Sequence, residues 1–324
     1  TSICFGDSLL ISIDTLSNLQ SNSPNVIIVP NDYSTIQTAI DSASIYDTVI
    51  VMPGTYYENI VWENKNLVIK SYSGREHTII DGQILNNVFK ISGVDSTSLL
   101  EGFTIRNGVG LTGAPFPENS GGGILVYNGN QNIQLNNLLI EQCNGQTSGA
   151  GLFLHNGSAT LTNSILKDNL NGGIHLHAAG AYLTMNNVKV IDNLNVESIF
   201  IYDTGIEIYN SEISNNDYGG IVYSGVGFSP NVFENVLFQN NGIARNFSNF
   251  GGAINFSIRG ADVAINNCTF YNNLGSSDIR SDGGFFNNNY AGNNIEITNS
   301  IFYESVQNSS RFAITADQIS DPLA

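Results

Sequence analysis

A short motif, L-x-N-x-x-L/I, recurs along this chain of 324 residues at nearly constant steps. Its asparagines are Asn137, Asn163, Asn187, Asn210, Asn235, Asn267 and Asn299. The steps between them are 26, 24, 23, 25, 32 and 32 residues. A degenerate earlier copy, LLEGFTI, puts Gly102 in the same slot. In the best-formed stretch, 149–193, each copy reads as a Gly-rich turn, a short apolar strand, a break, the motif, then Asp-Asn. A fixed period in the twenties means a solenoid, in which each repeat buries its apolar face against its neighbours.

The local period decides which solenoid. Ile265-Asn266-Asn267-Cys268-Thr269-Phe270 is typical of the copies: apolar and polar residues alternate with period two, as in strands. No copy carries ten residues of helical spacing, and the regular leucine ladder of a leucine-rich repeat is missing. About 23 residues divide naturally into three short strands and three turns, with successive coils about 4.8 Å apart and each strand paired to its equivalent in the next coil. The expected fold is all-β, a right-handed parallel β-helix of three-strand coils. The recurrent Asn then has a reason, because identical amides stacked at strand spacing hydrogen-bond along the axis.

Composition narrows the partners. Charged residues make up only 12% of the chain, which a solenoid surfaced with Asn, Ser, Thr and Gly tolerates. The net charge of −17 argues against nucleic acid and anionic membrane. It is compatible with bound Ca²⁺ without requiring it, and no other cofactor is implied. Three cysteines, Cys4, Cys143 and Cys268, give no disulfide framework. Cys143 and Cys268 lie five coils apart, roughly 24 Å at strand spacing, so both are expected as buried small apolar residues. No apolar run of 18 residues exists for membrane insertion. With no initiator Met, either a removed signal peptide or a fragment is expected, and the expected location is outside the cell or on its surface.

Along the chain, 1–47 reads as an opening segment with a capping helix, 48–305 as the β-helix and 306–324 as a tail. The helix is expected over 33–44, with Ser34 as N-cap and Gln37 three residues on. Ile36, Ala39, Ile40 and Ala43 would form one apolar face covering the first coil. Thr48–Met52 and Asn66–Lys70 read as strands around a Pro53-Gly54 turn. The stretch YSTIQTAIDSASIYDTVIVMPGTYYENIVWENKNLVIKSYSGREHTIIDG (33–82) resembles the opening of pectin-methylesterase-like and other right-handed β-helix proteins of the pectin-lyase-like superfamily. Copies such as INNCTFYNN (265–273) resemble that superfamily's generic repeats. The resemblance spans about 48–305 and implies the fold. It does not fix an activity, since lyases, hydrolases, esterases, epimerases, adhesins and tailspikes share it. The polygalacturonase, pectin methylesterase and uronate epimerase catalytic motifs are all missing. The C-terminal ITADQISDPLA has no capping helix, so further chain, a partner or the tail itself is expected to cover the last coil.

Alternation assigns candidate chemistry to the strand after each Gly pair. Two columns are expected to face solvent there: Leu125, Phe153, His175, Phe200, Val222, Asn255, and Tyr127, His155, His177, Tyr202, Ser224, Ser257. Long turns at 108–121, 242–250 and 274–282 fall beside this face, bringing Glu118, Arg245, Asp278, Arg280 and Asp282. Loops at a constant solenoid position usually mark a binding face. Three chemistries fit. The imidazoles of His155, His175 and His177 are candidate ligands for Zn²⁺ or Cu²⁺. A His base with Tyr202 as acid, helped by Arg245 or Arg280, suits β-elimination of a uronate. A stacking and hydrogen-bonding surface with Tyr127, Phe153 and Phe200 suits a glycan without catalysis. For the lyase the obstacle is that no Lys or Arg falls in the two columns as drawn. Asp168 and Asp192, equivalent in adjacent coils, read as a glycosidase-like pair or, more simply, as part of a polar turn column with Gln142, Asn215, Asn240, Asn272 and Glu304. The reading is a secreted or surface β-helix that recognises a polysaccharide or surface glycan. Its alternatives are a uronate-cleaving polysaccharide lyase and a structural or adhesive spacer.

Overall fold

The computed structural model describes residues 23–110, 120–128, 132–146, 149–178, 180–226, 230–242, 251–259, 262–274, 277–281, 294–303 and 314–316. One coil sets the pattern for the rest. Ser158–Thr162 lies in a first sheet, Ile165–Lys167 in a second, Ile174–His177 in a third, and Tyr182–Asn186 returns to the first. Every strand pairs in parallel with its equivalent one coil on, as Leu161 with Met185, Leu166 with Val190 and Leu154 with Leu176. The described residues build sheets of eleven, ten and ten strands in this way.

Period-two alternation sends Ile, Leu, Val and Phe into the tube, where they form one continuous buried cluster. Like residues stack on like: Phe238, Phe270 and Phe302 pack face to face with centroids 4.9 and 4.5 Å apart. Cys143 and Cys268 are buried free thiols, as their spacing implied.

The corner between the first and second sheets explains the motif that defines the repeat. Asn137, Asn163, Asn187, Asn210, Asn235, Asn267 and Asn299 all adopt left-handed backbone, with φ between 49° and 57°. Asn tolerates that region better than other side chains, and Gly102 fills the same slot with φ of 81°. The amides also bond along the axis. Asn187 donates to Asn163 Oδ1 at 2.8 Å and Asn235 to Asn210 Oδ1 at 2.9 Å, whereas Asn210 reaches Asn186 Oδ1 instead. The second corner repeats the device with Gln142, Asp168, Asp192, Asn215, Asn240 and Asn272, φ between 49° and 56°.

One residue further lies a ladder that the repeat pattern did not single out. Asn169, Asn193, Asn216, Asn241 and Asn273 point into the tube and are at most 1% exposed. Each amide from Asn169 to Asn241 donates to the Oδ1 of the next, at 3.1, 3.1, 2.9 and 2.9 Å. The same nitrogens donate to interior-facing carbonyls, such as Val190 O from Asn216. Buried amides are tolerated because they are satisfied in this way.

The capping helix is shorter than 33–44 and starts later. It spans Ile36–Ser42, its N-cap is Thr35 rather than Ser34, and Thr35 Oγ1 accepts from Thr38 N at 3.1 Å. Gln37 does not close a capping box: its side chain bonds Asp41 and the Val61 backbone. The Glu58 carboxylate takes that role from outside the helix, accepting from Ile36 N and Gln37 N at 2.9 Å each. The apolar face Ile36, Ala39, Ile40 and Ala43 is buried. No helix among the described residues is long and apolar enough to cross a membrane.

Candidate functional site

Strand register makes the third sheet's outer face explicit. One column runs Val61, Lys90, Leu125, Phe153, His175, Phe200, Val222, Asn255, Arg280. The other runs Glu63, Ser92, Tyr127, His155, His177, Tyr202, Ser224, Ser257. The expectation that no cation lies in these columns is therefore corrected. Lys90 belongs to the first column, in a coil that lacks the Gly pair used to align the later ones. Arg280 is at a register position of the same column, in the strand Ser277–Ser281. Arg245, Glu118 and Asp282 lie outside the described residues, and Asp278 is described only as part of that strand's backbone.

The first column is not the solvent-facing surface that alternation suggests. Leu125 and Phe153 are fully buried, His175 is 6% exposed, and Val222 and Asn255 are buried as well. For Leu125, Phe153 and His175 the cover includes two glycines that precede the strands, Gly121 and Gly149. Gly149, at φ 61°, lies so close that a Cβ would sit 2.7 Å from His175 Cβ and 3.1 Å from the Phe153 ring. Gly121, at φ 68°, lies likewise over Phe153 and Leu125. Leu125, Tyr127 and Phe153 form a small apolar cluster outside the tube. His175 is held between Phe153 and Phe200, both edge-on, with centroids 4.7 and 4.9 Å away.

The second column keeps an accessible edge. His155, His177 and Tyr202 are half-buried and follow one another along the axis: His155 and His177 are tilted by 37° with centroids 5.3 Å apart, and His177 and Tyr202 are stacked at 4.9 Å. Nδ1 of His155 and of His177 is buried, so the accessible edges offer at most the Nε2 atoms of the imidazoles and the phenol of Tyr202. Further along, Tyr127 donates to Glu63 Oε1 at 2.6 Å, and Lys90 Nζ lies over the Tyr127 ring, 5.1 Å from its centroid. Burial, then Glu63, raises the Tyr127 pKa.

Electrostatics keep the imidazoles neutral. Burial pushes His175 down to about 3, with repulsion from His177 and His155 adding to it. Burial also lowers His155, again with His177 contributing. His177 is lowered by burial, while the carboxylate of Asp203 acts in the opposite sense. Asp203 was missed in the sequence because it falls just past the strand, on a left-handed corner at φ 53°. A neutral imidazole donates at one nitrogen and accepts at the other, and with Nδ1 buried the Nε2 of His155 and of His177 is the atom left for a ligand hydroxyl or for proton abstraction. Among the described residues, no group of three His, Cys, Asp or Glu side chains is arranged to hold a metal ion. Asp168 and Asp192 lie on the second corner, ahead of the third-sheet strands Ile174–His177 and Ile199–Tyr202, and Asp192 is raised by burial and by Asp168.

The family model described as "Right handed beta helix region" matches residues 73–233. Among solved structures, a pectin methylesterase from Aspergillus niger is similar at 14% identity, over 92% of this chain and 91% of that one, with a TM-score of 0.51. Pectate lyase Pel9A aligns at 12% identity over 89% and 80%, with a TM-score of 0.48. Pectin methylesterase PemA from Erwinia chrysanthemi aligns at 14% over 90% and 92%, with a TM-score of 0.42. No curated protein matches the chain. At such identities the likeness concerns the fold and not the chemistry. Three parallel sheets winding around one apolar core, together with the family match, make this chain a right-handed parallel β-helix of the pectin-lyase-like fold.

Proposed function

We propose that the protein binds a polysaccharide laid along the coil axis on the third sheet, outside the cell or on its surface. The observation that carries this reading is the stack of His155, His177 and Tyr202, whose centroids are 5.3 and 4.9 Å apart. It is a row of polar ring edges repeating at coil spacing, matched to a ligand that is itself a linear repeat of hydroxyl groups. Phe200, half-buried beside the stack, extends the contact surface, whereas Tyr127 at its end is buried with its hydroxyl bonded to Glu63. Phe153 and His175 flank the stack on the same face, with ring centroids 6.4 Å from His155 and 5.7 Å from His177. The pectin-active neighbours agree with a carbohydrate ligand without naming one. The test is glycan-array binding by the wild type and by the His155→Ala/His177→Ala/Tyr202→Ala variant. Loss of binding with an unchanged melting temperature supports the reading. Equal binding by the variant removes it, and no binding by either protein favours a structural spacer.

A second reading is β-elimination of a uronate polymer, with His155 or His177 as base and Tyr202 as acid. The phenol of Tyr202 against the His177 ring, centroids 4.9 Å apart, favours it by pairing an acid with a base; Lys90, two coils before His155, is placed for the carboxylate of a neighbouring unit of the polymer. Arg280 and Arg245 remain further candidates for that role. Incubation with alginate, pectate and glycosaminoglycans tests it through the ultraviolet absorbance of the unsaturated product. A flat trace across the panel removes this reading.

A further inference from the structure

The corner between the first and second sheets carries a groove of about 290 Å³, remote from the His/Tyr stack. Its size approaches the lower end of ligand pockets, roughly 300 Å³. The floor is made by buried Val188, Ser211 and Val236. One wall is the exposed amides of Asn187, Asn210 and Asn235, and the other runs from Lys189 and Glu212 to Leu237 and Thr269. The groove therefore follows the axis over four coils, about 14 Å at strand spacing.

Three features define what fits. Each amide in this wall spends one N–H on the ladder: Asn187 to Asn163, Asn210 to Asn186, Asn235 to Asn210. A primary amide has a second N–H and a second acceptor lone pair, so the wall offers a donor and an acceptor at every coil. The one cation in the groove, Lys189, is neutralised by Glu212 at 2.7 Å. Leu237, half-exposed in the opposite wall, supplies an apolar contact. A row of amide pairs with no uncompensated charge suits hydroxyls and not carboxylates.

We propose that this groove is a second glycan-binding site, selective for a neutral polysaccharide chain. It stands on its own geometry and does not depend on the third-sheet reading. The experiment is a titration of the full chain with cellohexaose, mannohexaose and hexagalacturonate, following the side-chain amide NMR signals of Asn187, Asn210 and Asn235. At least one neutral hexasaccharide is expected to shift these signals, equally in the wild type and in the His155→Ala/His177→Ala/Tyr202→Ala variant. Leu237→Trp, which fills the groove, is expected to abolish the shifts. Asn210→Gly/Asn235→Gly keeps the left-handed corner, removes two amides and is expected to weaken binding at least tenfold. The proposal is overturned if no neutral sugar moves the signals, if hexagalacturonate moves them more strongly, or if Asn210→Gly/Asn235→Gly binds like wild type. Shifts that follow protein dilution instead of sugar would mean self-association through this corner, and would also overturn it.

Discussion

Gly149 lies directly on His175, its Cα so near that an added methyl group would meet His175 Cβ at 2.7 Å. This contact turns an outward-facing strand position into a buried one. Gly149→Ala must both enter that space and adopt a φ of 61°. A destabilisation of about 1–3 kcal/mol is expected, from strain and overpacking together. Urea denaturation of the pure variant measures it, and an unchanged midpoint would mean that the turn does not press on the sheet.

Acid should act through His175. Its pKa is depressed to about 3 in the folded protein, against 6.5 when unfolded. The unfolded chain therefore binds more protons between these values, and stability is expected to fall as pH drops from about 6.5 towards 3. At 1.36 kcal/mol per pH unit the upper bound is about 5 kcal/mol. Above pH 6.5 both states are neutral and the effect vanishes. His175→Phe, flanked by Phe153 and Phe200, should flatten this part of the stability–pH curve. His155 and His177 are also lowered by burial, and their protonation adds in the same direction.

The two asparagine ladders should respond differently to mutation. Asn216→Ala deletes a buried amide that accepts from Asn193 and donates to Asn241 and Val190 O. Leaving those groups unsatisfied is expected to cost about 3 kcal/mol or more. Asn210→Ala, at the exposed corner, loses ladder bonds and strains a left-handed residue, for about 1 kcal/mol. Asn210→Gly should be nearly neutral. Chemical denaturation of the three variants ranks them, and equal effects would contradict the division into interior and exterior ladders.

At the opening of the tube, Glu58→Ala should expose the unsatisfied N–H groups of Ile36 and Gln37. A loss of about 1 kcal/mol is expected, with Glu58→Gln retaining part of it. Loss of amide protection over 36–42 by hydrogen exchange would localise the effect to the capping helix.

Much of the fold was legible because its causes are local and repeated. Asn137 and its equivalents recur because each corner needs a left-handed residue, and that need leaves a mark at every coil. The apolar face of the helix at Ile36, Ala39, Ile40 and Ala43 was legible for the same reason. Burial on the outer face was not, since Phe153 and His175 alternate like solvent-facing residues, and their cover includes Gly121 and Gly149. The interior ladder hid behind its neighbours, because Asn169 and Asn193 follow the more conspicuous Asp168 and Asp192. Lys90 was overlooked because its strand, FKIS, lacks the glycines that align later coils.

The claim that a polysaccharide runs along His155, His177 and Tyr202 is tested most directly by histidine-ring NMR during titration with the glycan that binds best. The chain has four histidines, and His77 lies on an exposed turn away from the third sheet. The account predicts saturable shifts of the His155 and His177 ring protons, with His77 unmoved. Saturable glycan binding that leaves the His155 and His177 signals in place would contradict it.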